Sequence, residues 1–114
     1  MQYLLLIYSA ESDDANQDQA ALMDDYGAFT QGIVQGGAFK AADRLRPIAD
    51  ATTVRVRDGK TLSTDGPFAE TREQLGGYYL VEAKDLDEAI AIAAKVPTAK
   101  HGSIEVRPVW SMGG

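Results

Sequence analysis

The side chains best placed to do chemistry lie in one stretch, Thr64 to Tyr79, where Asp65, Glu70, Thr71 and Glu73 sit between a Gly66-Pro67 turn and a Gly76-Gly77 pair. Proline fixes its own φ and pushes the residue before it out of the α region, while glycine takes values other residues cannot. Such a turn is stiff and would hold Asp65 in one orientation. A carboxylate acts as a general base only where burial or a neighbouring acid disfavours its charge, and Glu70 and Glu73 are the neighbours within reach. The competing expectation is structural: Asp65 hydrogen-bonds backbone amides of its own turn, and Glu70 and Thr71 form a capped, solvated loop. Arg44 and Arg107 are candidate clamps for the carboxylate of a small ligand. For Arg107 an ion pair with Asp65, Glu105 or Glu70 competes with that role. Tyr78 and Tyr79 are adjacent on an apparent strand, so one phenol faces each side of the sheet.

Other chemistries lack their residues. The chain has 114 residues, no cysteine and one histidine, so thiol catalysis and zinc coordination of the usual kind are not expected, and no metal or cofactor is assigned. His101, beside Lys100 and Gly102, reads as an exposed loop residue. Asp13-Asp14 and Asp24-Asp25 read as surface charge. Gly36-Gly37 follows a helical segment instead of opening one, which removes a phosphate-binding loop. A net charge of -6 disfavours nucleic acid and anionic membranes as partners. The apolar run Tyr3 to Tyr8 is too short to span a bilayer and lacks a basic lead-in, so a cytoplasmic location is expected.

The elements that must position these residues follow from periodicity. Gln2 to Ser9 is apolar on both faces and predicts a strand covered on both sides. Between about Gln17 and Gln35, Leu22, Tyr26, Phe29 and Ile33 form a helical stripe that Gly36-Gly37 ends, with Ser12, Asp13 and Asp14 as candidate caps upstream. Ala38 to Leu45 and Ala51 to Arg57 predict strands, and Asp58-Gly59 turns the latter into a hairpin with Lys60 to Thr64. Gly77 to Glu82 is the next strand. Asp85 and Glu88 form a capping-box pattern opening a helix to about Lys95, with Leu86, Ile90, Ala93 and Ala94 as the candidates to turn inward. Ile104 to Trp110 closes the chain as a strand, and Ser111 to Gly114 reads as a frayed tail.

The order β-α-β, hairpin, β-α-β predicts an α+β fold of the ferredoxin-like split βαβ kind, one domain over residues 1–114, with an extra hairpin between its halves. Two helices cover only one face of the sheet. The other face is apolar and calls for a second copy, giving a homodimer whose sheets face one another as an α/β barrel and bury roughly 1,200 Å2 or more.

Asp65-Gly66-Pro67-Phe68, with Tyr26-Gly27-Ala28-Phe29, Ala51 to Arg55, Gly76 to Tyr79 and Glu105 to Val109, resembles the YCII-related family, specifically the branch named for its Asp-Gly-Pro-Phe motif. The resemblance runs nearly end to end. It implies a dimeric α/β barrel of ferredoxin-like subunits with no established activity, and association of this branch with extracytoplasmic-function sigma factors. Other branches carry a proposed catalytic pair, a histidine in the first helix and an aspartate near the second strand. The comparable positions here are Tyr26 and, more loosely, Asp43, so that histidine chemistry does not carry over. Two functions follow as expectations. One is a small-molecule-binding protein or enzyme using Asp65 as acid or base, Arg44 as clamp and Tyr26 or Tyr78 as donor in a dimer cleft. The other is a non-catalytic accessory module partnered by a sigma factor. An apolar cavity with a few convergent polar groups would favour the first.

Overall fold

A computed structural model describes residues 1–111; of the expected tail, residues 112–114 lie outside the described residues. Strand β1 (Gln2–Ser9) is followed by a short helix α1 (Glu11–Ala15) and the long helix α2 (Gln19–Gln35). Strands β2 (Phe39–Arg44), β3 (Thr52–Arg57), β4 (Lys60–Asp65) and β5 (Gln74–Glu82) come next, then helix α3 (Leu86–Ala93) and strand β6 (Ser103–Pro108). Four strands form an antiparallel sheet in the order β2-β5-β1-β6, and β3-β4 stand apart as a two-stranded hairpin. This is an α+β architecture compatible with the ferredoxin-like split, with an added hairpin.

β1 occupies the sheet centre because its alternate residues serve two faces. Tyr3, Leu5 and Ile7 are buried under the helices, where they meet Tyr79 and Val81 of β5 and Phe29 and Ile33 of α2. Phe29 packs edge-on to Tyr79 at 5.1 Å between ring centroids, and Thr30 shares a 2.5 Å hydrogen bond with the Tyr79 hydroxyl. On the opposite face, Leu4, Leu6 and Tyr8 align with Leu80, Tyr78 and Leu75 of β5. Arg107, Glu105 and Ser103 of β6 flank them on one side, with Ala41 and Asp43 of β2 on the other.

Several local expectations change. Asp18, not Ser12, Asp13 or Asp14, caps α2, its side chain accepting from the Ala21 amide. The polar segment before it folds as α1, a third helix. Gly37 ends α2 with φ of +80°, the left-handed conformation glycine takes without steric cost. β5 starts at Gln74 and runs through Gly76-Gly77. In α3, Asp85 accepts from the Glu88 amide as expected, but Leu86 and Ile90 are exposed while Ala89 and Ala93 face the core. Trp110 lies beyond β6 and is 86% exposed.

Candidate functional site

On the helix-covered face of the sheet, Arg44, Gly77 and Ile7 form one row across β2, β5 and β1. The row has a glycine in the middle strand, so no side chain fills the space between its two neighbours. The next row, Ala42-Tyr79-Leu5, is again small at β2. α2 passes above, and the gap is a cavity of about 300 Å3 with Leu22 and Met23 in its wall. The register slip between Ile7 and Tyr8 against β5 places Gly76 at its edge. A Cβ on Gly77 would stand 2.9 Å from the Asp43 carbonyl oxygen, so the close approach of β2 keeps that position side-chain-free. A second, more open hollow lies between α2 and the segment after α3, beside Phe29, Gly32 and Lys95. It is a surface groove away from the sheet.

The cavity wall carries polar groups, backed from outside the wall by His101, that the sequence alone did not join. The Ser9 hydroxyl donates to Asp14 Oδ2 at 2.7 Å. His101 Nε2 lies 3.2 Å from Asp14 Oδ1, a hydrogen bond when Nε2 carries the proton. Ser9 and Thr98 are 5% exposed, so both hydroxyls depend on protein partners. The Thr98 hydroxyl has one in Tyr26, at 2.5 Å. His101, expected in solvent, has a side chain only 19% exposed, and Asp14, expected as surface charge, is half-buried. The reason is topological. Pro97 to Lys100 forms a single 3-10 turn that returns the chain to β1, and Gly102 passes the Tyr8 carbonyl too closely for any side chain. α1 brings Asp14 in from the other side, held by the Glu11 carboxylate accepting from the Ile48 amide at 2.9 Å and by the Glu11 amide donating to Gln74 Oε1 at 3.0 Å.

Of the residues singled out from sequence, Tyr26, Asp43, Arg44, Tyr78 and Tyr79 line this cavity. Arg44 forms no ion pair among the described residues. Tyr78 and Asp43 border the cavity from positions whose register turns their side chains to the other face of the sheet, where the Tyr78 hydroxyl donates to Asp43 Oδ2 at 2.5 Å, a bond that raises the Tyr78 pKa. Arg107 pairs with Glu105 on that same open face, the structural role weighed for it. Asp65 ends β4 opposite Thr52 in the exposed hairpin and is not in the cavity wall. Its turn is held by the Gly66 amide donating to the Ala51 carbonyl at 2.7 Å, with Gly66 at φ of +99°. Glu70 is exposed, and the Thr71 hydroxyl donates to the Glu73 carbonyl at 2.5 Å.

A family model, the YCII-related domain, matches residues 1–113 of this chain. The chain belongs to the YCII-related family. An uncharacterized protein of Rhizobium meliloti (strain 1021), R00369, is 39% identical to this YCII-related chain over 114 aligned positions, covering 96% of the chain and 92% of the relative. No helix among the described residues of this YCII-related protein is long and apolar enough to cross a membrane.

Burial raises the pKa of Tyr26 above the usual phenol value, and the hydrogen bond with Thr98 partly offsets this. The folded state therefore disfavours the phenolate. Stability from this source is complete below the unfolded value of about 10 and is lost as pH rises through the folded one. Tyr26→Phe should lower the melting temperature at neutral pH, where loss of the hydroxyl leaves Thr98 short of a partner at a cost of about 1–2 kcal/mol. Above about pH 10 its melting temperature should also fall less steeply than that of the unmodified protein. Identical slopes in the two alkaline melting series would show that Tyr26 does not titrate with folding.

Proposed function

We propose that this YCII-related protein binds a small organic molecule in the cavity between α2 and the sheet, and that it works as a two-fold dimer joined through the open sheet face. The cavity carries the reading. Its volume of about 300 Å3 lies at the small end of ligand sites, and its wall is largely apolar with a few polar groups at set points. That composition is characteristic of recognition. The site differs from the expected one in lying within a single chain on the helix side, not in a cleft between two sheets.

The dimer rests on the composition of the open face. Leu4, Leu6, Tyr8 and Leu80 make an apolar centre, and Arg107, Glu105 and Asp43 stand at its edges. An apolar middle with a polar rim is the anatomy of a protein interface. The chain is also thin, 18 Å along its shortest axis against 47 and 44 Å, as expected of one sheet covered by one layer of helices.

The binding reading is tested by filling the cavity. Ala42→Leu places a larger side chain in it from the edge strand β2. Screened against a library of small organic acids, amines and amino acids, the unmodified protein should show ligands that raise its melting point, because a ligand bound only to the folded form stabilises it. The Ala42→Leu protein should fold and lose those shifts. If the shifts persist undiminished in the filled variant, the cavity is not the binding site.

A further inference from the structure

The walls of the cavity restrict which molecules fit, and this step rests on its reading as a ligand site. Arg44 reaches it from β2. A guanidinium has five donors and no acceptor, and this one has no carboxylate partner among the described residues. Asp14 reaches it from α1, on the β1 side. In its carboxylate form an aspartate only accepts hydrogen bonds. Ser9 and His101 take up one position on each oxygen, which fixes the orientation of the group and leaves further acceptor capacity on both. The other polar groups of the wall partner within the protein: Tyr26 with Thr98, Tyr78 donating to Asp43, and Gln19 donating to the Asp14 and Gln17 carbonyls.

Arg44 and Asp14 do not pair with each other. Arg44 is on β2, β5 lies between, and β1 with Ser9 comes beyond it. Two interstrand spacings separate those backbones by roughly 9–10 Å. The same wall carries the apolar side chains of Ile7, Leu22, Met23 and Ala42 and the ring of Tyr79. A ligand that satisfies all three parts needs an acceptor end, an apolar body and a donor end.

We propose that the cavity takes a small aliphatic zwitterion of amino-acid type, its carboxylate on the Arg44 guanidinium and its ammonium on the Asp14 carboxylate. The guanidinium gives the acid end a two-pronged hydrogen-bonding match. Ser9 and His101 are positioning residues: they hold Asp14 aimed inward and touch the ligand only through it.

Calorimetric titration of the intact protein with four molecules of one carbon skeleton tests this. The four are free leucine, isocaproate (no amine), isoamylamine (no carboxylate) and the neutral isocaproamide. Leucine should bind at least about tenfold tighter than the acid or the amine, each lost charge being worth about 1.4 kcal/mol or more. Arg44→Gln should erase the advantage of leucine over the amine and keep its advantage over the acid. Asp14→Asn should do the reverse, and this crossed pattern separates a direct contact from general damage to the fold. Equal affinity for all four, or tightest binding of the neutral amide, overturns the zwitterion while leaving a ligand cavity in place. Binding of none of them, with a different compound from the library shifting the melting point and Ala42→Leu abolishing that shift, likewise overturns the zwitterion alone. Absence of any cavity-dependent ligand overturns both readings.

Discussion

Gly102→Ala is expected to destabilise this protein more than any other single methyl addition at its glycines. The new Cβ would stand 2.2 Å from the Tyr8 carbonyl oxygen and 3.0 Å from both Ser9 Cβ and Thr98 Cγ2. The first neighbour is backbone of the central strand, so it cannot turn aside as a side chain would. Relief requires moving the turn away from β1, which also disturbs the 2.7 Å hydrogen bond from the Gly102 amide to the Thr98 carbonyl. Overpacking of this kind costs about 3 kcal/mol, which for a domain of this size is a fall in melting temperature of roughly 10 °C or more. Because Ser9 and Thr98 belong to the cavity wall, ligand-induced stabilisation should weaken with it. Gly27→Ala is the control: its Cβ meets nothing within 4 Å, and in the middle of α2 alanine should add about 0.5–1 kcal/mol of stability. A melting temperature for Gly102→Ala within about 2 °C of the unmodified protein would mean that the turn moves freely and does not fix the cavity wall.

Leu6→Lys should break the two-fold dimer proposed above. Leu6 stands on the open face between Glu105 and Tyr78, near the middle of the apolar patch. In a two-fold interface one substitution appears twice, so two ammonium groups would be desolvated for each dimer formed. The dissociation constant should rise by roughly a hundredfold or more, read by sedimentation across a concentration series. The fold of the subunit should survive, because Leu6 lies outside the core under the helices. A monomeric unmodified protein at micromolar concentration would refute the two-fold reading without touching the cavity, which one chain builds alone.

The sequence revealed the frame better than the site, for identifiable reasons. β1 was legible residue for residue because a strand apolar on both faces has few alternatives. The stripe through Leu22, Tyr26, Phe29 and Ile33 was legible because four contacts at helical spacing reinforce one another. α1 was not, since five polar residues carry no stripe. Gly76-Gly77 looked like a strand boundary, whereas Gly77 lies within β5 because β2 passes too near for a side chain. In α3 the inward position of Ala93 was legible, but hydrophobicity also favoured Leu86 and Ile90, which are exposed, over Ala89, which is fully buried. At the site, Tyr26 and Arg44 could be picked out by type and element. Asp14 and His101 could not, because they are 87 positions apart and each looks ordinary by itself. The conspicuous acidic turn at Asp65 drew the eye instead, and the structure puts it on a hairpin away from the cavity wall.

The attachment of α1 has a consequence for the cavity. No residue of α1 is buried, and its ties to the body of the protein include the two hydrogen bonds of Glu11 and the Asp14 contacts with Ser9 and His101. A segment fixed by polar bonds at the surface opens at far lower free energy than the sheet beneath it. Asp14 rides on that segment, so the Asp14 wall of the proposed site would loosen with one short helix while the hydrophobic centre stays packed. The grip on a guest at that wall would then depend on the handful of bonds that moor the helix.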